Sequence, residues 1–82
     1  LRARVARFLL ITLEQLHGDE VPEGAALALG LSQGELAAVL GATRPKVNRV
    51  LQEFRDEGLI DDQAGVWRCA VTALRAEAEA HG

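Results

Sequence analysis

Between Leu1 and His17, apolar side chains at Leu1, Val5, Phe8, Leu9, Leu13 and Leu16 recur at spacings of mainly three and four, the period that lines one face of an α-helix. Arg2, Arg4, Arg7 and Glu14 fall mostly elsewhere. An amphipathic first helix is therefore expected. Gly18 stops it, and Gly18 to Gly24 carries the glycine, proline and acidic residues of an exposed loop. The short apolar run Ala25 to Leu31 reads as a strand by length and position, although its alanines have weak strand propensity.

Ser32-Gln33-Gly34-Glu35 has the spacing of a capping box, in which a serine hydroxyl and a glutamate carboxylate satisfy the open donors of a helix start. The helix it opens continues through Leu36, Ala37, Val39 and Leu40 to a stop at Gly41. Thr43 is placed to cap a further helix, and Pro45 falls in its first turn, where a missing N–H costs nothing. Val47, Val50, Leu51 and Phe54 follow at i, i+3, i+4 and i+7, so one face of this helix, 44–57, belongs to the core. After Gly58 an extended segment starts at Leu59-Ile60, turns around Gln63-Ala64-Gly65 and returns through Val66, Trp67 and Cys69, which predicts a hairpin. An alanine-rich helix from Thr72 to Ala80, anchored by Leu74, closes the chain.

The two central helices meet the positional requirements of a helix-turn-helix. With Gln33 as the first residue of the motif, the small Ala37 stands fifth, where the helices approach, and Gly41 stands ninth, where the turn favours positive φ. Leu36, Leu40, Ala42, Val47 and Val50 fill the positions that must be apolar to lock the pair onto a third element. The fold class expected is mainly α with a small β-hairpin, a winged helix-turn-helix.

Opposite the core face of the second motif helix lie Pro45, Asn48, Arg49 and Gln52, with Arg44 at the margin. Arginine can bond guanine O6 and N7 together, and asparagine or glutamine can bond adenine N6 and N7, each good pair being worth about 1–3 kcal/mol of discrimination. Arg44, Pro45, Asn48, Arg49 and Gln52 are thus candidate base readers, with Pro45 limited to apolar contact such as a thymine methyl. Thr43, Lys46 and Ser32 are candidate phosphate contacts, together with the open backbone donors of the first turn.

Composition narrows the alternatives. The chain has 82 residues, a net charge of −3 and no apolar run approaching a bilayer span. Its first segment lacks the cleavage-site pattern of a signal peptide, and a membrane partner is not expected. A single cysteine, Cys69, allows no internal disulfide and no cysteine-built zinc site, which fits a reducing cytoplasm. It reads as a packing residue. The carboxylates are scattered and no nucleophile–histidine–carboxylate set stands out, so an enzyme is not expected. Overall acidity weighs against a nucleic-acid partner, but Thr43 to Gln52 holds Arg44, Lys46 and Arg49 and no acid. For a DNA partner, that local charge outweighs the sum over the chain.

The run from Leu31 to Leu51, continued through Glu53-Phe54 and Glu57-Gly58-Leu59-Ile60, resembles the C-terminal DNA-binding domain of the Crp/Fnr family of bacterial transcription regulators. The likeness extends upstream through Arg4-Val5-Ala6-Arg7-Phe8-Leu9-Leu10 and downstream to Ala73-Leu74-Arg75. It implies double-stranded DNA as partner, a homodimer in the intact protein and RNA polymerase as a further candidate partner. No cofactor is implied for residues 1–82, a single domain. Members carry an N-terminal β-roll sensor and a long dimerisation helix, and a chain that starts at Leu1 and has no methionine is expected to be a piece lacking both. The family's base-reading positions fall on Arg44, Pro45 and Arg49, with Thr43 and Lys46 as phosphate neighbours. Many members have glutamate where this chain has Pro45, so its preferred bases should differ there.

The hairpin brings Asp61 and Asp62 with only Arg68 on the return strand, which predicts a weak wing contact to DNA. Trp67 suits packing better than base stacking. A second reading remains, in which the helix-turn-helix is scaffold and the acidic surface docks a protein.

Overall fold

Val5, Leu9 and Leu13, one turn apart on α1 (Arg2–His17), are completely buried, and Ala3, Ala6 and Leu10 widen that stripe. The computed structural model describes residues 1–28, 30–63 and 65–80. After α1 come β1 (Ala25–Leu27), α2 (Gln33–Leu40), α3 (Arg44–Asp56), β2 (Ile60–Gln63), β3 (Val66–Cys69) and α4 (Val71–Ala80). α1 and α4 pack together on one side, α3 contacts both α2 and β2, and the sheet closes the remaining side of the core. Phe54 of α3 is the largest fully buried side chain, and Leu27, Leu36, Leu51 and Leu74 bring the other elements to the same cluster. No helix among the described residues is long and apolar enough to cross a membrane.

The expected hairpin forms and gains a third strand. Ile60 pairs with Cys69 and Gln63 with Val66, while Ala25 to Leu27 pair antiparallel with Cys69 to Trp67, giving the order β1-β3-β2. Cys69 and Ala25 point to the core, and Val66 and Arg68 point out, the alternation of a sheet buried on one side. β1 is shorter than the expected Ala25–Leu31. Leu29 and the turn residue Ala64 lie outside the described residues, as does His81.

Periodicity overestimates burial in two places. Leu16, on the last turn of α1, is 60% exposed, and Val39 of α2 is 61% exposed. In α2 the apolar residues go nearly all round the helix, so the sequence does not mark which side is covered; the structure buries Leu36 and Ala37. The arginines of α1 are not simply solvated either. Arg4 donates to Leu40 O at 2.8 Å and Arg7 to Ala78 O at 2.9 Å, fastening α1 to the last turns of α2 and α4.

Candidate nucleic-acid interface

The capping box of α2 is complete: Glu35 N donates to Ser32 Oγ and Ser32 N donates to Glu35 Oε1, both at 3.1 Å. The Ser32 hydroxyl accepts in this arrangement and keeps its own O–H free to donate. At the far end Gly41 takes φ 66° and ψ 34°, and Ala42 N donates to Ala37 O at 2.9 Å. A Cβ on Gly41 would touch nothing within 4 Å, so glycine is needed there for its left-handed backbone and not for space. Ala37 is buried against the core. These features turn α3 away from α2 and bring its first turn to the surface.

α3 begins differently. Thr43 is extended at φ −87° and ψ 152°, and its carbonyl accepts from Val47 N at 3.1 Å, as at a helix N-cap. Its hydroxyl, however, makes no capping hydrogen bond. Pro45 offers no N–H, no acid stands in the first turn, and Arg44 and Lys46 occupy positions where the helix dipole favours negative charge. Two cations at the positive end of a helix are unfavourable within the isolated fold, and an anion placed there would offset the cost.

Exposure divides α3 as the sequence predicts except at Asn48, expected opposite the core but half-buried. Val47, Val50, Leu51 and Phe54 are buried, whereas Thr43, Arg44, Pro45, Lys46, Arg49 and Gln52 are exposed. Among the described residues Arg44, Lys46 and Arg49 make no intramolecular hydrogen bond or ion pair, in contrast to Arg2, Arg4, Arg7 and Arg55. Arg68 and Arg75 are likewise exposed without such partners among the described residues, but only on the leading half of α3 do three unpaired cations stand together.

Two of the five candidate readers are constrained. Gln52 Nε2 donates to Asp56 Oδ1 at 3.0 Å. Asn48 is half-buried, and its Oδ1 is covered without a hydrogen-bond partner among the described residues. With the amide in that orientation, Asn48 can offer only its NH2 outward, which suits guanine, a thymine O4 or a phosphate. Reading adenine through both atoms requires Oδ1 to turn outward. Nothing in the spacing of the sequence signals either constraint, because both depend on the immediate surroundings of one side chain.

The wing carries Asp61, Asp62 and Gln63 exposed. Asp62 faces Arg55 at 3.6 Å, Gln63 Nε2 donates to Asp61 Oδ2 at 3.1 Å, and Arg68 stands across from Asp61. Trp67 is half-buried against the core, as expected of a packing residue. Cys69 is buried, and desolvation pushes its thiol up from 9.0 to about 11, the behaviour of an inert core thiol. No group of three or more histidine, cysteine or acidic residues that could hold a metal occurs among the described residues.

Residues 3–77 match the Crp-like helix-turn-helix domain. Among solved structures, the chain is similar to the imidazole-bound form of the CO-dependent transcription factor CooA from Carboxydothermus hydrogenoformans, with 30% identity and a TM-score of 0.76 over 95% of this chain and 36% of that one. It is equally similar to a CRP/FNR-family transcriptional regulator from Thermus thermophilus, with 31% identity and a TM-score of 0.76 over 100% of this chain and 42% of that one. A CRP-family regulator from the same organism shares 30% identity with a TM-score of 0.71, over 94% and 39% respectively. The chain therefore spans well under half the length of these proteins. No curated protein sequence matches it.

Proposed function

This chain belongs to the family of Crp-like helix-turn-helix domains, and on that premise we propose that it is the sequence-specific DNA-binding domain of a transcription regulator, with α3 entering the major groove. The observation that carries the reading is the free set Arg44, Lys46 and Arg49 on the exposed half of α3. A helix of α3's width fits a groove about 12 Å across, and residues near the start of such a helix reach base edges. Arg44 and Arg49 read guanines, Pro45 gives apolar contact, and Asn48 and Gln52 make weaker or conditional contacts. Thr43, Lys46 and the Ser32 hydroxyl position the domain on phosphates. α2 braces α3 across the backbone.

One such helix covers only a few base pairs. The intact protein is proposed to bind as a homodimer to two half-sites about one helical turn, roughly 34–36 Å, apart. The acidic wing adds little to DNA affinity, since Asp61 and Asp62 would face phosphate charge.

Salt titration tests the reading. A DNA reader loses affinity linearly in log salt as counterions are released, with a slope of about −0.9 per phosphate contact. The intact protein should show such a slope on random DNA and bind a selected operator more tightly. Absence of DNA affinity even at low salt would favour the reading in which the acidic surface docks a protein partner.

A further inference from the structure

Arg2, in the first turn of α1, places every N–H of its guanidinium on a carboxylate from α3, its C-cap or α4. Nε donates to Glu77 Oε1 at 3.1 Å. Nη1 donates to Glu53 Oε1 at 2.9 Å and to Glu57 Oε2 at 2.7 Å, and Nη2 donates to Glu57 Oε1 at 2.7 Å and again to Glu77. A guanidinium has five N–H donors, and all are used. The same cation lies over the Phe54 ring, 5.2 Å from its centroid, and bonds both Glu53 of α3 and Glu57, the residue that caps the C-terminus of α3.

This arrangement is more than a surface ion pair. One cation gathers three carboxylates, so its removal leaves Glu53, Glu57 and Glu77 converging without compensation. It also grips α3 at its trailing end, whereas the free cations occupy the leading half. α3 has 13 residues and is about 20 Å long, so a rotation of about 5° about the trailing end moves the leading end by roughly 2 Å. Such a shift would break a bidentate base contact, whose hydrogen bonds tolerate only a few tenths of an ångström. Arg4, bonded to Leu40 O, holds the neighbouring helix of the motif from the same turn region of α1.

We propose that Arg2 is a positioning residue for DNA reading, its five-donor fork onto Glu53, Glu57 and Glu77 fixing the angle at which α3 presents Arg44 and Arg49 to base edges. The inference rests on the DNA-reading proposal and adds a residue with no contact to DNA. Geometry, and not charge alone, carries the role. Lysine keeps the charge but presents its three donors from one atom, without the planar fork.

The test compares the intact protein with its Arg2→Lys, Arg2→Gln and Glu57→Gln variants on an operator selected from random-sequence DNA and on random DNA, with circular dichroism melting alongside. Arg2→Lys should lower the preference for operator over random DNA by at least about fivefold, the lower end for loss of one bidentate base contact, while random-DNA affinity changes less than about twofold because Arg44, Lys46 and Arg49 still meet phosphates. Glu57→Gln, which leaves the core untouched, should lower the same ratio more modestly. An Arg2→Lys protein that is folded and keeps full operator preference overturns the inference, even if it melts earlier, because Arg2 then serves stability alone. Should Arg2→Gln not fold, Arg2→Lys and Glu57→Gln decide. A wild-type protein with no preference for any sequence fails earlier, at the DNA reading itself, and the inference falls with it.

Discussion

Gln52 donates from Nε2 to Asp56 Oδ1 at 3.0 Å, one turn further along the exposed side of α3. A pair of this kind at i and i+4 contributes about 0.2–0.5 kcal/mol to a helix, and Gln52 must give it up to reach a base. Gln52→Ala is therefore expected to change operator preference less than Arg49→Ala does. Asp56→Ala should raise affinity for operator and random DNA alike, since it removes a negative charge from the helix proposed to meet DNA. Binding isotherms on both DNAs check this, and a Gln52→Ala loss as large as that of Arg49→Ala would show that the glutamine reads a base despite its tie.

Arg49 and Lys46 are both exposed and unpaired among the described residues, but their places on α3 differ. Arg49 lies a turn inside the helix on the face opposite the core, and Lys46 sits in the first turn, beside the helix start. Arg49→Ala should cost about 1–3 kcal/mol on the operator and relax preference at one base pair, whereas Lys46→Ala should weaken all sequences similarly and reduce the salt slope by about 1. Equal losses on operator and random DNA for both variants would sink this division of roles.

The helix-turn-helix was legible because its constraints are local. Ser32, Glu35, Ala37, Gly41 and Pro45 each do a job set by backbone geometry a few residues away, and the exposed face of α3 follows from the spacing of Val47, Val50, Leu51 and Phe54. What could not be read depends on distant partners. Arg2 looks like any polar-face residue until α3 and α4 bring Glu53, Glu57 and Glu77 around it. The pairing of β1 with β3 joins residues far apart in the chain, such as Ala25 and Cys69, and three residues with two alanines carry little strand signal. Asn48 had the right chemistry and the right face, but the covering of its Oδ1 is a matter of packing that no periodicity expresses.

Ser32 and Thr43 precede consecutive helices with similar backbone angles, yet only Ser32 uses its side chain as a cap. Ser32→Ala should destabilise the fold by about 0.5–2 kcal/mol, the usual cost of losing a capping hydrogen bond. Thr43→Ala loses no such bond and should leave the urea midpoint nearly unchanged while weakening DNA binding through the lost hydroxyl. A Thr43→Ala destabilisation as large as that of Ser32→Ala would count against a phosphate-binding role for the threonine.

Hydrogen bonding to Arg2 holds the Glu57 carboxyl below its ordinary value of 4.5. A carboxyl depressed in the folded state stabilises the fold while ionised, so its contribution is present above 4.5 and is lost as pH falls through the lower folded value. Arg2 itself is raised above its already high value by the same glutamates and stays charged throughout. Wild type and Glu57→Gln should therefore differ in urea midpoint at neutral pH and converge in acid below 4.5. A constant difference across that range would show that Glu57 contributes by packing and not by charge.

Cys69 sits where β3 meets both its neighbours, paired with Ala25 of β1 and Ile60 of β2, and its side chain is fully buried. Burial raises the thiol to about 11, so at pH 8 only about one molecule in a thousand carries the reactive thiolate even where reagent could enter. Labelling then requires the sheet to open, and its rate reports that opening. Disulfide-exchange labelling of native protein at pH 8 should be slow and should accelerate along the same urea curve as loss of helical circular dichroism, because Cys69 shares one core with Phe54 and Leu9. Cys69→Ser should destabilise the fold by about 1–3 kcal/mol, the cost of burying a hydroxyl whose acceptor, Trp67 O, lies 3.8 Å from the thiol sulfur it replaces, beyond a good O–H···O distance. Rapid labelling in the absence of urea would mean that the sheet separates from the helices independently, and that β1 and the wing form a weaker unit than the continuous core implies.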